Sequence, residues 1–404
     1  MPFKISVGKM KNVIVLCMLF LAAMNFAAKF FYFAFFSLFC VMLIQRNLMV
    51  NGSTIVYLLL GTLMAVYNTS EGVLSMIRCM SCVALYLVGY NMVLNKTTRT
   101  GGIISGDLVF SEKQGSMLLI TVAVGSFLHY ILNFVYNYNN LLGRNTNDIW
   151  SGEMMAATGQ ATLAYLMLGL TVAAVFLPRK KVHRWMGAIC IIGMFAYNMV
   201  LAVRTMIVIL LVLLFVAWIY TSHVLKKSYE KVKFNVGVCL TVLVGCLTLF
   251  FAWGLVDEFI LESNLFERII ETSMWDTGGR ENAKLAYIRN AFKYPLGGMH
   301  LREQYGYAHD LLLDGFDEYG MIGFALLLII VVLGIVELYK FIRRTSYSKE
   351  VKLSFLCVYI AILLVFSVEP ILVGMQWLFS CFCMINGAVT AMNISYRKSK
   401  RLAL

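Results

Sequence analysis

The sequence predicts an all-α polytopic membrane protein of about 12 transmembrane helices, with one large outer loop containing short helices, and three observations predict it. Hydrophobic residues make up 60% of the 404 residues, charged residues only 14%, and the mean hydropathy is +0.79. A soluble domain carries about 25% charged residues, so that class is excluded. Apolar runs long enough to cross a bilayer recur along the whole chain, and the basic clusters fall on one side of them. The net charge of +13 therefore reads as positive-inside topology and not as a nucleic-acid surface.

Apolar segments lie at 13–28, 30–45, 53–68, 72–94, 115–136, 154–177, 185–202, 205–221, 235–254, 320–341, 353–369 and 370–392. A crossing takes about 20 apolar residues, so each is read as one span. Lys4, Lys9 and Lys11 before the run from Val13 resemble a signal peptide, yet no small-residue cleavage site follows, and the run is read as a retained first helix. With that end inside, Arg179-Lys180-Lys181, Lys226-Lys227 and Arg343-Arg344 all fall on the inner face, and both termini are cytoplasmic. The chain then divides into residues 1–254 with the first nine segments, an outer loop at 255–319, and residues 320–404 with the remaining spans and a basic tail. All ten cysteines lie in apolar runs, and Cys79 and Cys82, despite their spacing, read as packing residues rather than a redox or metal pair. The lack of any internal repeat counts against the inverted halves of a transporter.

The loop at 255–319 breaks the pattern of short connections, and function is expected there. It holds Arg268, Arg280, Lys284, Arg289, Lys293 and Arg302 against twelve Asp and Glu, so topology does not account for its basic residues. Val256 to Glu271 has the spacing of a helix lying along the membrane surface. A second helix is expected from Arg280 to about Lys293, ended by Pro295 and Gly297-Gly298. On it Arg280, Lys284 and Tyr287 share a face, beside an apolar stripe of Leu285, Ile288 and Phe292.

Arg204 follows Leu201-Ala202-Val203 and opens an aliphatic run. A charge at membrane depth costs about 2.5–3.5 kcal/mol on insertion scales, which marks either a functional residue or a snorkelling anchor. Arg78 and Glu369 also fall near outer span ends, as an ion pair or as parts of a polar cavity. Arg280 follows Asp276-Thr277-Gly278-Gly279, a pattern that suits either a phosphate cradle or a solvated helix start. His309 is crowded in sequence by Asp310, Asp314, Asp317 and Glu318, which are expected to raise its pKa and keep it a base near neutrality; a divalent-ion site is the competing reading.

Arg204 before its aliphatic span, Thr277-Gly278-Gly279-Arg280, the Phe292-Lys293-Tyr294-Pro295-Leu296-Gly297-Gly298 turn and His309-Asp310 followed by Gly320-Met321-Ile322-Gly323 together resemble the O-antigen ligase and polymerase family. The resemblance covers about residues 204–323, and the family pattern has Asn, Ser or Gln where this chain has Asp310. It implies a membrane glycosyltransferase that takes a glycan from a polyprenyl diphosphate carrier on the outer face of the bacterial cytoplasmic membrane. By that resemblance Arg204 and Arg280 bind the diphosphate and His309 activates the acceptor hydroxyl; Lys284, Arg289 and Asp310 of this chain are expected as further substrate contacts.

The expected activity is a metal-independent, inverting transfer with no cofactor, most consistent with a polymerase for O-antigen, capsule or exopolysaccharide. Two arginines neutralise charge on the departing diphosphate, and one histidine takes the acceptor proton. The alternatives are a ligase that passes the glycan to lipid A core or another acceptor, and a polysaccharide flippase. Expected partners are the lipid-linked donor, a glycan or lipid-core acceptor and the bilayer, with no nucleic acid.

Overall fold

The computed structural model describes residues 7–45, 48–94, 104–138, 146–178, 180–224, 280–297 and 301–403. The segment at 235–254, the surface helix from Val256 to Glu271, the stretch from Asp276 to Gly279, Gly298 and His300 lie outside the described residues.

Among the described residues the chain is all-α, apart from a two-residue antiparallel pairing of Thr146–Asn147 with Met154–Met155. The helices are α1 (Val7–Ala23), α2 (Phe30–Gln45), α3 (Gly52–Tyr67), α4 (Val73–Cys79), α5 (Ser81–Val93), α6 (Ile104–Tyr136), α7 (Ala157–Phe176), α8 (Lys181–Val200) and α9 (Arg204–Val224). After them come α10 (Arg280–Asn290), α11 (Leu301–Tyr305), α12 (Leu311–Arg344), α13 (Lys349–Phe366), α14 (Ile371–Gly374) and α15 (Gln376–Ala403). The apolar segments read from the sequence, 235–254 excepted, are largely helical, but 72–94 is divided between α4 and α5, 370–392 between α14 and α15, and 320–341 lies within the longer α12. Among the described residues six helical stretches are long and apolar enough to cross a membrane: Val73–Val93, Leu108–Tyr136, Ala157–Phe176, Arg204–Val224, Leu311–Arg344 and Gln376–Arg401. Asn12–Ala23, Phe30–Gln45 and Gly52–Tyr67 are apolar but shorter.

Two units divide the chain, one of residues 1–129, 278–352 and 362–404, the other of residues 130–277 and 353–361. In the first, α5 and α15 pack backbone to backbone. A Cβ added at Gly89 would collide with the Met384 carbonyl, and one at Gly387 with that of Tyr86. Small residues allow this approach, which is how helices pack where lipid removes any hydrophobic drive between them. Polar groups inside the pairing are matched: Ser81 and Ser380 hydroxyls lie 2.8 Å apart, and Asn386 Nδ2 donates to Tyr57 Oη at 2.9 Å. Tyr57 stacks on Tyr86 with centroids 4.0 Å apart. Helix α3 starts with a reciprocal cap, Asn51 accepting from Thr54 N–H while the Thr54 hydroxyl accepts from Asn51 N–H, which satisfies donors the helix itself leaves open.

In the second unit α7 packs against α8 and α9, and a buried amide network joins the end of α6 to α7 and α8. Asn133 Nδ2 donates to Gln160 Oε1 at 2.8 Å, Gln160 Nε2 to the Tyr130 carbonyl at 3.0 Å, and Asn198 Nδ2 to Tyr130 Oη at 2.8 Å. Away from water each such bond is worth more by what its absence would cost than by its net gain.

Candidate functional site

Helix α12 is broken at Gly320, whose φ of 67° and ψ of −163° belong to glycine alone. The Pro295-Leu296-Gly297 turn is seated in the break. Met321 N–H, which the broken helix leaves without its usual acceptor, donates to the Pro295 carbonyl at 2.8 Å. A Cβ at Gly320 would stand 2.5 Å from Leu296 C, and one at Gly297 (φ 73°) would stand 2.9 Å from Gly320 Cα. From the other side Tyr67 Oη donates to the Leu296 carbonyl at 2.8 Å, and its ring meets Tyr319 edge-on at 5.7 Å. A Cβ at Gly323 would lie 2.9 Å from the Gly315 carbonyl, so the arm before the break folds against the arm after it. The glycine spacing at 297, 320 and 323 is thus a packing device, and what it positions is the short arm that begins at His309.

His309 has a φ of 51°, a left-handed conformation that His adopts more readily than most residues. The loop before it is tied to α10, because Tyr287 is fully buried and donates its hydroxyl to the Gly306 carbonyl at 3.0 Å. Tyr287, Leu301, Ala308 and Phe316 form a small core beneath the loop. Burial, and then the negative charge of Asp317, raises the Tyr287 pKa and keeps the hydroxyl a donor. Asp310 caps the arm, its Oδ1 accepting from Leu312 N–H at 3.0 Å and Leu313 N–H at 3.3 Å. Asp is among the strongest N-cap residues, and here it satisfies two amides that the helix start leaves open.

Around the imidazole the structure gathers Arg280, Lys284, Asp310 and Glu369. Glu369 Oε2 stands 3.9 Å from His309 Nδ1, and its carboxyl is almost wholly buried. Arg280 Nη1 donates to the Val368 carbonyl at 3.1 Å, and Lys284 Nζ donates to that of Ser367 at 2.7 Å and lies 3.8 Å from Asp310 Oδ2. The two cations therefore close the C-terminal end of α13, where helix carbonyls point outward with partial negative charge. A guanidinium carries five donors, so the bond to Val368 takes only part of Arg280's capacity.

The carboxylates that follow His309 in sequence do not raise its pKa as expected. Asp310 is turned to the helix cap, Asp317 Oδ1 accepts from Leu301 N–H at 3.2 Å, and Glu318 is paired with Arg302 at 2.6 Å. Burial, followed by the charges of Arg280 and Lys284, lowers His309 to about 4. Glu369 Oε2, 3.9 Å from Nδ1, is beyond hydrogen-bond reach of the imidazole. His309 is consequently a neutral imidazole across the physiological range.

Arg289 is exposed, and nine residues after Arg280 it falls about 180° around α10, so it is not brought to the cluster. Arg204 is the first residue of α9, half-buried, after the buried turn Leu201–Val203 in which Ala202 has a φ of 54°. It belongs to the second unit, whereas His309, Arg280 and Lys284 belong to the first. Among the described residues no three His, Cys, Asp or Glu side chains are grouped as metal ligands. Sequence reasoning missed the placement of Glu369 beside His309; the only signal was a carboxylate next to Pro370 in an otherwise apolar run. Arg78, considered as its partner, lies instead over the Phe31 ring, 5.5 Å from the centroid. No protein-family model matches the chain, and no curated protein matches it.

Proposed function

We propose that this chain is a membrane glycosyltransferase that polymerises oligosaccharide units carried on a polyprenyl diphosphate, at the outer face of the bacterial cytoplasmic membrane. One observation carries the reading: a neutral, half-buried imidazole stands among two cations and a buried carboxyl, at the head of an arm fixed by a glycine break. In this reading the acceptor hydroxyl oxygen forms a bond to the anomeric carbon as the bond from that carbon to the diphosphate oxygen breaks. His309 accepts the hydroxyl proton, and Arg280 with Lys284 holds the departing polyprenyl diphosphate. Attack from the side opposite the leaving group inverts the anomeric centre. Glu369 then faces an imidazolium and stabilises it, as a carboxylate does for a histidine base.

The arrival of the donor also alters the base. Its negative charge offsets Arg280 and Lys284, two of the causes that depress His309, so the imidazole becomes more basic when there is a proton to take.

The reading is tested with purified protein in liposomes carrying a lipid-linked oligosaccharide. Wild-type protein should consume donor and lengthen glycan in excess chelator, and His309→Ala should lower transfer by about 10²–10⁴-fold while donor binding persists. Donor that only changes sidedness would identify a flippase. Full transfer by His309→Ala would shift the base to Glu369 or another carboxylate, and activity restored by Mg²⁺ after chelation would return the divalent-ion reading.

A further inference from the structure

The apolar stripe of α10 takes no part in the cluster around His309. Ala283 and Tyr287 are buried on one side of this helix, whereas Leu285 and Ile288 lie exposed on the other. Helical winding continues past the last residue of α10, with Tyr294 N–H donating to the Asn290 carbonyl at 3.3 Å, so Phe292 follows Ile288 on the exposed side. Phe292 is 86% exposed and Leu296, in the turn that follows, 69%. Single exposed apolar side chains are ordinary, but four between Leu285 and Leu296 make a surface that water disfavours.

The turn at 295–297 fixes where that surface sits. The Leu296 carbonyl accepts from Tyr67, the last residue of α3, and the Pro295 carbonyl accepts from Met321, the first residue beyond the break in α12. Helices α3 and α12 pack together, and beside the turn each presents an exposed apolar side chain, Val66 from α3 and Ile322 from α12. From Ile322 onward the exposed side of α12 stays apolar through Leu328, Ile329 and Val332, on a helix long and apolar enough to cross a membrane. Phe292 and Leu296 thus stand at the end of a lipid-facing surface and extend it. Arg289 and Lys293, exposed in the same stretch, suit the phosphates that border hydrocarbon, and Tyr67 has the amphipathic ring common at that level.

We infer that the stretch from Leu285 to Leu296 is a membrane-surface anchor, with Phe292 and Leu296 inserted at the headgroup–acyl boundary of the phospholipid bilayer. Surface helices of this kind sink about 5–10 Å into that boundary. The anchor stands whether or not the chain transfers glycan. Because α10 also carries Arg280 and Lys284, anchoring its C-terminal end sets how those two cations are held over the membrane.

The test uses the full chain in nanodiscs, cysteine-depleted, with a nitrobenzoxadiazole fluorophore on Phe292→Cys or, separately, on Leu296→Cys. Phospholipid carrying a nitroxide near the head of its acyl chain should quench either label by about twofold or more, and more than a nitroxide at the chain end, while iodide in the buffer should quench it weakly. Quenching by iodide but not by lipid would leave the surface in water. Shielding from both would place protein over it, another stretch of this chain or a second copy, and stronger quenching from the chain end would place it in the hydrocarbon core. Each of these three results overturns the inference. The unmutated chain supplies a reading free of any folding defect: phosphatidylcholine with a diazirine near the head of its acyl chain should photolabel peptides within residues 285–296, and labelling of the spans without that stretch overturns the inference as well.

Discussion

Replacing Gly320 with Ala should be among the most damaging single-methyl additions available in this chain. The backbone there (φ 67°, ψ −163°) lies in a region reserved for glycine, at a cost of about 1–3 kcal/mol for any other residue. The new Cβ would also stand 2.5 Å from Leu296 C and 2.8 Å from Gly297 N, backbone atoms that move only if the whole 295–297 turn moves. Moving it breaks the 2.8 Å bond from Met321 N–H to the Pro295 carbonyl, and a donor left unsatisfied costs about 1–3 kcal/mol more. The combined penalty of about 2–6 kcal/mol reaches beyond the range of most point substitutions. It falls on the break that aligns the His309 arm, so the variant should insert in the membrane yet lose transfer, with proteolysis appearing between residues 290 and 310. Gly193→Ala is the control, because nothing lies within 4 Å of its added Cβ and helix propensity favours Ala by about 1 kcal/mol. Thermal melting in detergent and limited proteolysis read the first effect, and the liposome assay the second. A Gly320→Ala protein with wild-type melting and full transfer would refute the argument that this break places the site.

The depressed His309 pKa has a signed consequence: a base with a pKa of about 4 stays deprotonated down to that pH, so kcat/KM should be flat from pH 8 to about 5 and fall toward 4. Arg280→Gln removes a charge that disfavours the imidazolium, so the acid limb of the pH profile should move upward, and a limb that stays put would separate Arg280 from His309. Asp310→Asn keeps the helix cap and should melt within about 0.5 kcal/mol of wild type, whereas Asp310→Ala should lose about 1 kcal/mol; equal melting would deny the cap its role. For topology, Asp276→Cys in a cysteine-depleted chain should react with an impermeant reagent on intact spheroplasts, and reaction only after permeabilisation would place the loop inside and undo the proposed function.

Composition and hydropathy were enough to specify an all-helical chain with apolar helices of membrane-crossing length, because excluding water from the backbone leaves helix formation as the local solution wherever about 20 apolar residues run together. The helix from Arg280, its end before Pro295 and the shared face of Arg280 with Lys284 were legible for the same reason: capping, breaking and periodicity are local. Tertiary structure alone decided what surrounds His309. Its sequence neighbours Asp310, Asp317 and Glu318 are engaged by the Leu312 and Leu313 amides, the Leu301 amide and Arg302, while the groups that act on its protonation arrive from 29 and 25 residues upstream, Arg280 and Lys284. Glu369 comes from the end of α13, after two further helices. A pKa responds to distance and burial in space, and a glycine motif records a contact without naming its partner. Hence the sequence could mark Gly297, Gly320 and His309 as special, but only the packed chain showed that the first two meet each other and that the third is held neutral.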